Sequence, residues 1–309
     1  MCRRPRGRPG VSYFALMRRA GRCVRIIGRH TFGMAKTPSS PLPAIPTVTT
    51  IDGVVEAIGS IVDWSISVSS RLGYFAALYK RITTAIGTAA SQGKFEDAAR
   101  MQRFDVTFAS RYFDALNGYF HPHQYAKPTR SWRATFDAAS RPEPIILQHM
   151  WAGVNAHIEL DLGIAAQTVA PGANLAALHN DFNTVNAVLA SQVSGVVNEL
   201  DDLSPALAAI YRVLTGNEIF LIDEAVKTLR DSAWRFASIL ALEPGFAHPI
   251  TILARDCEVS IQGRLIYDTP GLAREIVAAI AARESRDIVK NIRELSEIAT
   301  TPAPIKTVL

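Results

Sequence analysis

A histidine and a carboxylate stand four residues apart in the run Asn155-Ala156-His157-Ile158-Glu159-Leu160-Asp161-Leu162, within an apolar segment. At about 100° per residue a helix brings His157 and Asp161 onto one face. Ionisable side chains are seldom buried unless they pair, bind a metal or do chemistry, so this pair is a candidate site. Two more polar groups are candidates to join the pair. Asp105 projects near the middle of an aromatic face formed by Phe104, Phe108, Tyr112, Leu116 and Tyr119. His179 opens the run His-Asn-Asp-Phe-Asn-Thr-Val-Asn and flanks a stripe of Phe182, Val185, Leu189 and Val193. Asp181 falls about 200° from His179 on an ideal helix, and so reads as an N-terminal cap or a partner of the helix dipole.

Three kinds of chemistry fit this set. With a divalent metal, His157, Asp161 and His179 form a nitrogen and oxygen shell for Zn²⁺, Fe²⁺ or Mn²⁺, and Asp105 is a further ligand or a base. Without a metal, Asp161 orients His157 as an acid/base group beside Asp105. Either version suits a hydrolase, lyase or cyclase acting on a small, largely apolar organic substrate. The rival is a non-catalytic helical protein that binds an apolar ligand or a partner, in which the His–Asp pair only ties helices together. The spacing H-x-x-x-D is short, and the zinc motif H-E-x-x-H, a Walker loop, a dinucleotide fingerprint and a nucleophile elbow are all missing from the sequence. His121-Pro122-His123 reads as an exposed loop pair. Arg130 and Arg133 are candidates to neutralise a buried acid, and Gly153 and Gly163 would admit a close neighbour to the helix that carries the pair.

The elements that must position these groups are helical almost throughout. Periodicity and breakers predict helices over 51–64, 70–92, 95–120, 130–139, 144–169, 178–200, 204–214, 217–242, 247–264 and 271–297. Ile250 to Leu253 and Leu265 to Tyr267 are short apolar runs that period alone cannot type. Across 144–169, Leu147, Trp151, Val154, Ile158, Leu162 and Ala165 make a core stripe, with Asp161 close to its centre, while Gln148, Asn155, Glu159 and Gln167 read as the solvated arc. The expected fold is all-α: one domain of about ten helices, residues 47–297, around a buried central helix, followed by a loose tail at 298–309.

Charge and composition limit the partners. Hydrophobic residues make up 48% of the chain and charged residues 20%, enough for a sizeable core. The formal charge of +5 is uneven: ten basic and no acidic residues lie within 1–50, which leaves 23 basic against 28 acidic residues from Ile51 onward. The body is therefore mildly acidic, and no nucleic-acid partner is expected. Residues 1–46 read as a basic, Pro/Ser-rich, disordered leader. It is either an organelle-targeting signal or sequence preceding a natural start at Met34. No apolar window reaches about 18 residues, so no membrane span is expected. Cys257 is the one cysteine of the body and reads as a small core residue, and a cytoplasmic setting follows as the default.

Phe108 to Phe113, Ser131-Trp132, the Asn-Ala-His-Ile-x-x-Asp-Leu element within Gln148 to Leu162, and Asp181-Phe182-x-x-Val185-Asn186 together resemble a family of uncharacterised bacterial and fungal helical proteins, defined as a domain of unknown function. The resemblance covers about residues 50–200. It implies a compact all-α domain with His157 and Asp161 in its signature, and it implies no reaction.

Overall fold

Thr50 caps the first helix by accepting the Gly53 amide on its hydroxyl, and Val54, Ile58, Ile61 and Val62 then turn one face of α1 (Ile51–Ser67) inward. This is a computed structural model, and it describes residues 40–207 and 218–297. The same amphipathic logic repeats through α2 (Leu72–Ser91), α3 (Ala98–Phe120) and α4 (Arg130–Ala138). The central helix follows as α5 (Ile146–Ala156), a π-helical turn (His157–Leu162) and α6 (Gly163–Val169). Then come α7 (Leu175–Leu203), α8 (Glu218–Leu242), α9 (His248–Tyr267), α10 (Leu272–Ala281) and α11 (Ile288–Glu297). Among the described residues there is no strand, and the fold is all-α.

Neighbouring helices enclose the central one. Its two glycines admit them closely: a Cβ on Gly153 would collide with the Phe75 ring from α2, and one on Gly163 would lie 2.7 Å from Phe236 and 2.8 Å from the Ala233 carbonyl of α8. The arc expected to be solvated is instead covered by α8 and α9. Gln148, Asn155 and Glu159 are buried, and each is satisfied. Asn155 Nδ2 donates to the Val259 carbonyl at 3.0 Å, Gln148 Nε2 donates to the Ile266 carbonyl, and Glu159 accepts from Ser232 and pairs with Arg255. A period marks which face is apolar. It does not show that polar residues on the other face have found partners inside the fold.

Three of the helices that carry site residues are capped by acids from distant parts of the chain. Asp181 of α7 accepts the amides of Glu96 and Asp97 at the head of α3, and also Arg100 Nη2 at 2.7 Å. Asp256 of α9 accepts the amides of Arg130 and Ser131 at 2.9 Å each, at the head of α4. Glu284 accepts the Ile146 amide at 2.9 Å, at the head of α5. A carboxylate at a helix N-terminus satisfies orphan donors and opposes the helix dipole. These contacts therefore fix where α3, α4 and α5 begin.

Other expectations are corrected. The stretch before α1 is not wholly loose: from Ser40 it runs against the domain, with Leu42 and Ile45 buried. There Ile45 exchanges hydrogen bonds with the Asn117 side chain, and His121 Nε2 meets the Leu42 carbonyl at 2.7 Å. His121 thus holds a backbone segment. The two runs of uncertain type, 250–253 and 265–267, are helical and belong to α9. The single helix expected over 271–297 is broken between Ala281 and Ile288, where Asp287 accepts the Lys290 amide. The leader before Ser40, the tail from 298 and most of the helix expected at 204–214 lie outside the described residues.

A Gly163→Ala substitution is expected to destabilise the protein by about 1–3 kcal/mol, because a backbone carbonyl cannot yield to the added methyl. Gly59→Ala on α1, where only the end of Lys80 is near, should instead stabilise by up to about 1 kcal/mol. A urea midpoint for Gly163→Ala at or above that of wild type would contradict the close approach of α8 to the central helix.

Candidate active site

The π turn holds both members of the opening pair. π segments occur chiefly as single turns within α-helices and are frequent at functional sites. Here the turn carries Asp161, fully buried, into a set of three donors. Arg111 Nε of α3 donates to Oδ1 at 2.7 Å, Trp132 Nε1 of α4 donates to Oδ2 at 2.7 Å, and His157 Nδ1 lies 3.3 Å from Oδ2. Burial by itself would raise the Asp161 carboxyl. The Arg111 charge, with the hydrogen bonds from His157 and Trp132, outweighs that and holds it below the ordinary value. Asp161 is thus an ionised carboxylate, and its Oδ2 demands a proton on His157 Nδ1.

His157 is then a neutral imidazole whose other nitrogen carries the lone pair. Burial lowers its pKa, against the opposing pull of Asp161. Its ring stacks on Phe108 at 3.6 Å between centroids and 8° between planes, and Tyr79 meets it edge-on at 4.7 Å. Nε2 is buried and makes no hydrogen bond. The ring is therefore clamped on its faces, tethered at Nδ1 and unpartnered at Nε2.

A cavity of about 460 Å³ opens beside it. Leu147, Trp151, Val154, Ile158 and Leu162 line it, so the stripe expected to pack as solid core forms one wall instead. Met101, Phe104 and Phe108 of α3, with Leu78, Ile82 and Ile86 of α2, form others. The lining is overwhelmingly apolar, and the volume lies in the ordinary range of small-molecule sites, about 300–1,000 Å³. His157 and Asp105 both border it.

Asp105 is buried, and its Oδ2 has no hydrogen-bond partner. Burial pushes its pKa up to about 7. Burial, Asp105 and Asp161 together push the Tyr79 phenol well above its usual range, which places both acids in the surroundings of one side chain. Asp105, Asp161 and His157 are thus brought to one region. His179 is not: it is exposed on α7 and leans on Trp234 at 4.6 Å, because that helix buries Leu178, Phe182 and Val185. The three-ligand set of His157, Asp161 and His179 is therefore not assembled. No group of three or more His, Cys, Asp or Glu side chains that could hold a metal ion occurs among the described residues.

Sequence reasoning missed Arg111 and Trp132, the donors that hold Asp161 ionised. Both lie in segments that carry the family resemblance, which was the one available signal. Arg130 and Arg133, named as candidates to neutralise a buried acid, sit elsewhere: the Arg130 guanidinium donates to Cys257 Sγ, and Arg133 is exposed beside Asp137. Cys257 is buried, as expected.

The sequence profile of a family of unknown function, DUF5995, matches residues 51–269, and the chain belongs to that family. The match extends well beyond the portion legible from the motifs, through α8 and α9. No curated protein and no solved structure matches the chain. Among the described residues no helix is long and apolar enough to cross a membrane.

Asp161→Asn removes the charge that faces Arg111 while keeping the shape, and is expected to cost about 3 kcal/mol in urea unfolding, because a cation loses its carboxylate. Asp105→Asn should act in the opposite sense, and only above acid pH. The folded protein holds the Asp105 proton up to about pH 7, whereas the unfolded chain releases it near 4, so wild-type stability falls as pH rises through that window. The amide that replaces the acid does not titrate, and the variant should gain on wild type by up to about 4 kcal/mol between pH 4 and pH 8. Parallel pH curves for the two proteins would show that Asp105 is not a buried acid.

Proposed function

We propose that this member of a family of unknown function is an enzyme that binds a small, largely apolar organic molecule in the cavity and moves a proton on it by metal-free acid/base chemistry. The observation that carries the reading is that two residues bordering one apolar cavity, His157 from the π turn and Asp105 from α3, each keep a buried polar atom without a partner, Nε2 and Oδ2. Buried polar atoms are costly to leave unsatisfied, and such atoms in a cavity are natural contacts for a ligand.

The roles follow from the protonation states. His157 Nε2 offers a lone pair and acts as general base, and Asp161 stabilises the imidazolium that forms when it takes a proton. Asp105, protonated up to about pH 7, is the acid that returns a proton to a leaving or rearranging group. An apolar wall keeps water from competing, which favours elimination or cyclisation over hydrolysis. Trp132 and Arg111 act only through Asp161 and are positioning residues.

The test is to extract purified protein with organic solvent, identify the apolar compound that accompanies it by mass spectrometry, and follow its conversion. Wild type should convert the compound at a rate that falls as pH rises through about 7, where Asp105 loses its proton. His157→Gln should lower the rate at least 100-fold while the variant still quenches tryptophan emission on binding, since Trp151 lines the cavity. Asp105→Asn should remove the alkaline limb of the profile together with most of the rate. Conversion at the wild-type rate by both variants would contradict the acid/base roles, and unchanged tryptophan emission across a panel of apolar compounds would contradict binding.

A further inference from the structure

Several arginines of the domain that are mostly buried meet a carboxylate: Arg100 meets Asp181, Arg111 meets Asp161 and Arg255 meets Glu159. Arg230 of α8 differs. It is 3% exposed, and its hydrogen bonds go to neutral groups: Nε donates to Asn186 Oδ1, and Nη2 donates to the Phe182 carbonyl at 2.6 Å. Its guanidinium carbon lies 4.3 Å over the centre of the Phe182 ring. Asp231, its neighbour in sequence, is exposed and offsets only part of the effect of burial. These contacts fix the group firmly without neutralising it. Burying a charge without a paired counter-charge is costly, and a protein retains such an arrangement where something else supplies the counter-charge.

Arg230 borders the cavity described above. With it at the cavity edge are Val226 and Ala225 of α8, Val185 and Leu189 of α7, and Gln192, whose Oε1 accepts from Arg81 Nε. Asp105 does not answer the Arg230 charge. The upward shift of its carboxyl comes from burial, with no arginine pulling it down. The cation and the acid border one apolar chamber from different helices, the first held by α7 and α8 and the second carried by α3.

We propose that the cavity takes an amphiphilic monocarboxylic acid, its carboxylate paired with Arg230 and its apolar body extending toward Asp105 and His157. The proposal rests on the reading of the cavity as a ligand site and adds the substrate class. A planar guanidinium held by a stacked ring and two hydrogen bonds is pre-organised for a carboxylate, and a charge-assisted bond in such a setting is worth roughly twice a neutral one. The polarity of the chamber also orients the ligand. An anion is drawn to Arg230 and finds no counter-charge at the end where the uncharged Asp105 and His157 border the cavity, so the carbon that reacts lies away from the carboxylate.

The test uses three probes with the same body and different heads, dodecanoate, dodecanol and dodecylamine. Each is titrated below its micelle concentration into the full-length protein at pH 6, where Asp105 keeps its proton, with binding read by tryptophan emission and by calorimetry. Dodecanoate should bind at least 10-fold more tightly than dodecanol, and dodecylamine more weakly than either. Arg230→Gln should bring dodecanoate down to the affinity of the alcohol. Asn186→Asp, which places a carboxylate where Arg230 Nε already donates, should do the same and should raise the melting temperature, so the result does not depend on one variant folding. Equal affinity of wild type for the acid and the alcohol, or a preference for the acid that survives in either variant, would overturn the assignment while leaving the cavity a site for apolar ligands. Failure of all three probes to bind would overturn both readings.

Discussion

A single ionised carboxylate at the centre of a helical domain sets most of what surrounds it. Asp161 is fully buried, and an isolated carboxylate there would be protonated or would unfold the protein. Arg111 from α3, Trp132 from α4 and His157 from one turn earlier supply the compensation. Each donor comes from a different element, so the geometry holds only if α3, α4 and the central helix keep their places. The acids that cap the N-termini of those same three elements, Asp181, Asp256 and Glu284, hold those places from a distance. The buried carboxylate at the centre is thereby tied to buried acids at the helix ends.

From that constraint the state of His157 follows without further assumption. An ionised Oδ2 fixes the proton on Nδ1, and the stacked Phe108 ring and edge-on Tyr79 fix the plane of the imidazole. The remaining nitrogen is left with a lone pair beside an apolar cavity. Asp105 borders the same cavity from α3 under the opposite regime. No cation reaches it, burial pushes it up to about 7, and it holds a proton near neutral pH. Two carboxylates on neighbouring elements thus shift in opposite directions, because Arg111 reaches one and only burial acts on the other. Environments that push two acids apart are the usual means by which a fold separates an acid from a base.

Much of this was legible in the sequence, and the failures have specific causes. The apolar stripe from Leu147 to Leu162 was visible from its period. Period reports which side of a helix avoids water, however, and not whether that side meets another helix or a cavity, and here it meets a cavity. Glu159 and Asn155 fall on the polar arc of that period for the matching reason: their partners, Arg255, Ser232 and the Val259 carbonyl, lie far along the chain. Asp181 was legible as a cap, but the helix it caps in the structure is α3 rather than its own. Arg111 escaped because its pairing is a tertiary contact across 50 residues, with no local spacing to betray it. His179 flanks the apolar stripe of its helix by period, but the face it occupies on α7 points to solvent.

The state of the His157 ring is the most direct test of the account, because the Asp161 carboxylate, the neutral imidazole and the unpartnered Nε2 all meet in it. Nitrogen-15 NMR of ring-labelled protein at pH 7, with His157→Gln to assign the resonance, distinguishes the tautomers. The expected result is a neutral ring protonated at Nδ1, with an Nε2 signal typical of a bare lone pair that moves when an apolar ligand is added. A protonated imidazolium, or a ring carrying its hydrogen on Nε2, would contradict it.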